Sequence, residues 1–326
     1  MSAPIVDELL RSPEPSIRWK VRTRVLGEAE DAPAIRRLRR EIRRSPRVEA
    51  LLAHRDADGR MSTPRRVYAK WQGAHWVLAT LADLGYPAGD ENLVPLATQV
   101  CETWLSRSTL RDRIVAGRHR RCGSIQGNAL FAVSRLGLVD DCADRLAVLL
   151  ARWQWPEGGW NCDPRPGASS PSFMETLVPM RALAAYASRG GDRADAAAAA
   201  ADRAAEVFLE RRLFRRRSTG AVIDQGFVTL HYPLYWHYDV LGGLVGLGEA
   251  GRIDDPRCAD ALDLLESKRL PDGGWPAEAR YYHRVGADPA PGGSYVDWGG
   301  VDKRRTNPWI TADALGVLTA AGRFKP

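Results

Sequence analysis

The chain has 326 residues, 44% hydrophobic and 27% charged, which is the composition of a folded globular protein and excludes a disordered or fibrous one. No apolar run approaches the roughly 18 residues of a membrane span, and the opening MSAPIVDELLRSPEPS lacks a signal peptide's charged-then-apolar order. Five scattered cysteines argue against a disulfide framework and for a reducing, cytoplasmic setting.

Helical periodicity dominates along the chain, and strand-like alternation is nearly absent. A short segment in APIVDELLRS precedes the apolar PSIRWKVRTRVLG, Pro15 to Gly27. A polar helix follows at about 34–52, carrying the first arginine cluster at 36–44. The alternation then repeats. Apolar helices are expected at YAKWQGAHWVLATLADLG (Tyr68 to Gly85), GSIQGNALFAVSRLG (Gly123 to Gly137) and PSFMETLVPMRALAAYA (Pro171 to Ala187). Two more are YPLYWHYDVLGGLVGLGEAG (Tyr232 to Gly251) and NPWITADALGVLTAAG (Asn307 to Gly322). Polar ones are expected at about 92–105, 142–153, 193–213 and 256–268. Terminal glycines suit left-handed C-caps, and prolines near the starts suit a first helical turn.

The net charge of +7 would suit nucleic acid, but the clusters at 36–44, 111–121 and 210–217 come with no recognition motif. They read as solvated helices and a loop. No nucleic-acid partner is expected, and the charge leaves room only for peripheral contact with an acidic membrane.

Two turns repeat: WQWPEGGWNCD after the helix at 142–153, and KRLPDGGWPAE after the one at 256–268. Proline and glycine account for the turn itself, since proline presets φ and glycine supplies φ > 0. They do not account for the tryptophan in both. Gln154, Gly158 and Trp160 match the Q-x3-G-x-W repeat of the squalene–hopene cyclase and prenyltransferase-like α/α-toroid superfamily. Arg269, Gly273 and Trp275 give a second copy, and RDADGRM at 55–61 keeps only Gly59. The resemblance implies an all-α (α/α)6 toroid, a single domain over 1–326, with an inner ring of six helices inside an outer ring. It also implies that the tryptophan staples repeats, its ring stacked on the glutamine whose amide caps a neighbouring helix.

Such a ring has its concavity where the inner helices begin, and the aromatic residues there are the expected substrate-binding set: Trp71, His75, Trp160, Tyr235, Trp236 and Trp309. The resemblance implies an apolar or isoprenoid-type small molecule, with acid-catalysed cyclisation or isomerisation on π-faces that stabilise cations. The cyclases' D-x-D-D motif is absent. Asp239 is the substitute acid, with His237 or Asp163 in support; the competing reading is that Asp239 bonds a neighbouring helix or loop. Glu175 and Asp313 are candidates for a second acid or for pairing with Arg181, Arg304 or Arg305.

A non-catalytic toroid that binds lipid or protein is the second reading. The third is a zinc-dependent transferase using Cys122 and Cys162, with Asp163 and His231 or His237 as further ligands. The prenyltransferases' D-x-C position falls on SPSFME at 170–175, and no CxxC or HxxxH pair occurs. No cofactor or metal is therefore assigned, and a monomer or weak dimer is expected.

Overall fold

A computed structural model describes residues 4–326. The first three residues, including Ala3 at the head of the N-terminal candidate helix, lie outside the described residues. The apolar helices are α2 (Pro15–Arg24), α5 (Ala74–Asp83), α7 (Gly123–Leu136), α9 (Phe173–Ala187), α11 (Val240–Glu249) and α13 (Pro308–Ala320). The polar ones are α1 (Pro4–Leu10), α3 (Pro33–Arg43), α4 (Pro46–Leu52), α6 (Val94–Trp104), α8 (Asp140–Trp153), α10 (Ala194–Leu209) and α12 (Ala259–Ser267). Two small antiparallel pairs, β1 (Ile114–Val115) with β2 (Arg118–His119) and β3 (Pro276–Ala277) with β4 (Asp302–Thr306), and three short 3-10 helices at Glu91–Leu93, Gln225–Val228 and Pro256–Cys258 complete the described elements.

Local chemistry sets the boundaries. Proline occupies the first turn of α2, α3, α4, α6 and α13, where its missing N–H costs nothing. Ser45, Ser172 and Asn307 cap α4, α9 and α13 through their side chains. The helix expected over 34–52 is two helices, because Pro46 cannot continue α3 and Ser45 starts α4 instead. The helices expected from Tyr68 and Tyr232 begin only at Ala74 and Val240. Gly73 packs so closely that an added Cβ would lie 2.3 Å from the Val67 carbonyl oxygen, and Tyr235 has φ of +51°. Both leading segments are coil whose aromatic side chains stack on other elements.

The apolar helices pack on one another in chain order: α5 on α7, α7 on α9, α9 on α11, α11 on α13, and α13 on α2. Trp19 of α2 closes on α5, for a Cβ at Gly85 would lie 2.5 Å from its ring. The polar helices pack against this set, with α10 on α9 and α3 on α2. One ion-pair network threads all six apolar helices. Lys20 Nζ lies 3.0 Å from Asp313 and 3.4 Å from Asp83, and Arg24 is 2.9 Å from Asp313. Arg181 bridges Asp83 at 3.3 Å and Glu249 at 2.7 Å, and Glu249 also meets Arg135 at 3.0 Å. Burial alone would raise the Asp83 and Glu249 pKa values, yet the flanking cations outweigh it and hold both below the carboxylate range. Asp313 thus pairs with cations of α2, and Arg181, Arg304 and Arg305 are not its partners.

The repeated turn has one construction in both copies. The indoles of Trp160 and Trp275 donate to the carbonyls of Leu150 and Leu265, at 3.0 and 2.7 Å, in the last turns of α8 and α12. Their backbone N–H groups donate to the hydroxyls of Thr176 and Thr311, one turn into α9 and α13. Each tryptophan therefore ties the polar helix before it to the apolar helix after it. Gly158 and Gly273 both have φ of +91°, and a Cβ on Gly158 would lie 2.2 Å from the Arg203 carbonyl of α10. The Gln154 amide donates to Gly158 and to Ala200 in the middle of α10, at 2.6 and 2.8 Å.

Cys101 and Cys142 form a disulfide between α6 and α8. This corrects the expectation that the cysteines are unbridged: both are buried, on α6 and α8, the two polar helices that pack on α7, a juxtaposition their separation of 41 residues does not reveal.

Candidate functional site

Asp239 is the N-cap of α11. Its Oδ1 accepts from the Gly242 N–H at 2.7 Å, and its Oδ2 accepts from the His231 N–H at 2.9 Å. The same Oδ2 lies 3.0 Å from His231 Nδ1, with both side chains buried. A carboxylate with each oxygen engaged as an acceptor is built to hold a helix start and a loop, which is the second of the two readings weighed for it. His237 is sandwiched between Trp236 and Tyr281, with ring centroids at 4.0 and 3.4 Å, and burial lowers its pKa to about 3. Asp163 pairs with Arg165, whose hydrogen bonds hold it down to about 2, and it bonds neither Asp239 nor His237. The expected acid and its supports are not brought together as a proton-donating set.

The expected aromatic wall is mostly engaged with other parts of the fold. Trp71 stacks on Tyr235 at 4.0 Å and donates its indole N–H to the Tyr281 carbonyl at 2.9 Å. His75 is buried, accepts from the Trp104 indole at 3.1 Å, and has its pKa lowered to about 3 by desolvation. Trp309 stacks on Tyr232, and Trp160 is spent on the turn. The central cavity, about 70 Å³, touches only Tyr235 of the six. Trp76, Phe131 and the charged Arg24, Asp83, Arg181 and Asp313 line it, together with Asp239, the expected acid. Ligand pockets run to about 300–1,000 Å³. The assignment of Trp71, His75, Trp160, Trp236 and Trp309 to that cavity's wall is corrected accordingly. Buried indole N–H groups seek acceptors, and those of Trp71 and Trp160 find carbonyls within the fold, whereas that of Trp236 has no partner among the described residues.

Reactive side chains do converge elsewhere. Cys122 sits immediately before α7, Cys162 follows the Gly-Gly-Trp turn, and Glu175 lies in the first turn of α9. One ligand atom from each lies within 4.8 Å of the others. The Cys162 thiol donates to Glu175 Oε1 at 3.4 Å, and the Ser124 N–H donates to Glu175 Oε2 at 2.9 Å. Gly123 makes the approach feasible: a Cβ there would lie 2.9 Å from Cγ of Trp160 and 3.1 Å from the Glu175 carbonyl oxygen. The turn that fastens the fold is the turn that delivers Cys162.

Electrostatically the two thiols are unequal. A hydrogen bond from Cys162, aided by the Arg121 charge, pulls the Cys122 pKa down, while Cys162 is driven far up as the donor. Burial raises Glu175. The Tyr68 phenol, raised by burial and then by Glu175, Cys122 and Cys162, stays protonated beside them. Both cysteines were candidate ligands from sequence, whereas Glu175 was only a candidate acid. Asp163, His231 and His237, the other ligands considered, are engaged with Arg165, Asp239 and Tyr281.

No protein-family model matches the chain, and no curated protein matches it in sequence. Among solved structures it is similar to a "Glycosyl hydrolase family 88 from Bacteroides vulgatus" at 12% identity and a TM-score of 0.48, over 98% of this chain and 96% of that one. At that identity and score the likeness assigns neither residues nor chemistry. None of the described helices is long and apolar enough to cross a membrane.

Proposed function

We propose that the chain is a single-domain (α/α)6 toroid whose working centre is a metal site formed by Cys122, Cys162 and Glu175, and that it acts there as a zinc-dependent group-transfer enzyme. The observation that carries this reading is the convergence of the two sulfurs and a carboxylate oxygen within 4.8 Å. Thiolate donors suit zinc, and three protein ligands leave a fourth position, as catalytic zinc sites do and closed structural sites do not. The toroid reading is supported by the run of contacts from α5 through α7, α9, α11 and α13 to α2, with Lys20 of α2 reaching Asp83 of α5.

Zinc in such a site supplies Lewis acidity and lowers the pKa of a bound nucleophile. The chain's own residues supply orientation and proton handling. The Ser124 N–H fixes the Glu175 carboxyl, and Gly123 keeps α7, α9 and the turn in contact. Tyr68, kept protonated beside Glu175 and the two thiols, supplies a hydrogen-bond donor to a group held there. An apolar or isoprenoid ligand in the central cavity takes second place, because that space is only about 70 Å³ and charged.

The test is metal content. Protein purified without chelator should carry one zinc per chain by elemental mass spectrometry. Cys122→Ser, Cys162→Ser and Glu175→Gln should each lower affinity, by at least tenfold for the cysteines. A chain that binds no zinc in competition with a chromogenic chelator refutes the proposal.

A further inference from the structure

We infer that Cys122 and Cys162 form a metal-or-disulfide switch: the pair that would hold zinc closes into a disulfide when a small oxidant reaches it, releasing the ion. The inference rests on the metal reading of the same site and concerns its regulation.

The cysteine inventory singles out this pair. Cys101 and Cys142 are already joined, and Cys258 is fully buried against α12, so neither set offers accessible thiols. Cys122 and Cys162 are both free and both only partly buried. Their sulfurs lie within 4.8 Å, and an S–S bond is about 2.05 Å, so closure needs a movement of less than about 3 Å. The backbone leaves room for it. Cys122 stands outside α7 with φ of −74° and ψ of +83°, and its side chain makes no capping bond. Cys162 lies in an irregular run between the Gly-Gly-Trp turn and α9, its thiol shared between Cys122 and, at 3.4 Å, Glu175 Oε1. A side-chain rotation at either position therefore breaks no helix.

The chemistry balances with a low-molecular-weight disulfide, RSSR, as oxidant. The Cys122 sulfur attacks one sulfur of RSSR and expels RS⁻, leaving a mixed disulfide. The Cys162 sulfur then attacks the Cys122 sulfur and expels the second RS⁻. Two electrons pass from the cysteine pair to RSSR, and the metal keeps its charge throughout. With both thiolates spent, Glu175 alone remains, and one carboxylate does not retain zinc against water.

The experiment uses the full chain, zinc-loaded and metal-free in parallel, titrated with glutathione disulfide. A chromogenic chelator reports zinc, and intact mass with peptide mapping reports the thiols. The expected result is one zinc released per chain, with a product lighter by two hydrogens and free of glutathione. The map should join Cys122 to Cys162, and reductant should restore zinc binding. Cys162→Ser should stop at a single glutathione adduct on Cys122, and Cys122→Ser at a single adduct on Cys162. Stable mixed disulfides on the unsubstituted chain, or thiols unreacted under excess oxidant, overturn the inference. Failure of the metal reading looks different: no zinc binds at the start, and a Cys122–Cys162 bond that then forms in the metal-free chain has no ion to release, which overturns the switch while leaving the thiol pair.

Discussion

Gly123→Ala tests whether the fold and the thiol centre are one construction. Its new Cβ would lie 2.9 Å from Cγ and 3.0 Å from Cβ of Trp160, and 3.1 Å from the Glu175 carbonyl oxygen. Carbon–carbon contacts are comfortable at about 3.5–4.0 Å, so a displacement of roughly half an ångström or more is forced. Trp160 cannot yield freely, since its indole is bonded to Leu150 and its backbone N–H to Thr176. Overpacking of this kind costs about 1–3 kcal/mol, against a propensity gain of at most about 1 kcal/mol for alanine over glycine. The net expectation is a loss of about 1–2 kcal/mol in urea unfolding, with zinc affinity falling as Cys162 and Glu175 move away from Cys122. Gly248→Ala is the control: it lies in α11 with nothing within 4 Å of its new Cβ, and should stabilise by up to about 1 kcal/mol without touching zinc. A Gly123→Ala chain as stable as the parent, with unchanged zinc affinity, would refute the reasoning.

Lys20→Met should cost about 3–5 kcal/mol in urea unfolding, because Lys20 is 1% exposed and its loss strips a cation from both Asp83 and Asp313. His75 and His237, each lowered to about 3, stay neutral in the fold but take up a proton near pH 6.5 when unfolded. Their stabilisation is therefore present above pH 6.5 and is lost as the pH falls towards 3. The unfolding free energy from urea titrations should drop across that window by up to about 1.4 kcal/mol per pH unit for each histidine, and His75→Gln should flatten the slope. Reduction of Cys101–Cys142, or Cys101→Ser with Cys142→Ser, should lower stability by about 2–4 kcal/mol in denaturant titrations. Asp239→Asn should lower thermal stability, because its amide can keep the cap to Gly242 but sets a donor against the His231 N–H, and leave zinc content unchanged, a split that measurement of both will show.

Helix placement was legible because periodicity and punctuation agreed. All six apolar segments contain a helix, and Gly137 ends α7 in the left-handed conformation as expected. The errors fell where aromatic residues were counted as helical merely because an apolar helix followed them. In Tyr68 to Gly73 and Tyr232 to Asp239 the side chains have partners far along the chain, the Tyr281 loop for Trp71 and Trp309 of α13 for Tyr232. Long-range stacking of that kind leaves no period in the sequence. Asp239 did carry a local signal: an acid before Val-Leu-Gly-Gly is a helix N-cap pattern, and reading it so would have moved the start of α11 and removed the acid in one step.

The thiol centre was half legible for a related reason. Cys122 and Cys162 are separated by two helices, and ligand spacing along a chain is informative only when one turn or one helix face holds the ligands. Here proximity is made by the repeated turn. Trp160 binds α8 behind it and α9 ahead of it, and this brings residue 162 against the first turn of α9, where Glu175 lies, and against the start of α7 across Gly123. The second copy has the same bonds around Trp275 but proline and alanine after it, so it fastens the fold without adding chemistry. Comparison of the two copies is thus the sequence signal that locates the site. What both share is architecture, and what only the first carries, Asn161-Cys162 facing Glu175, is the part left over for function.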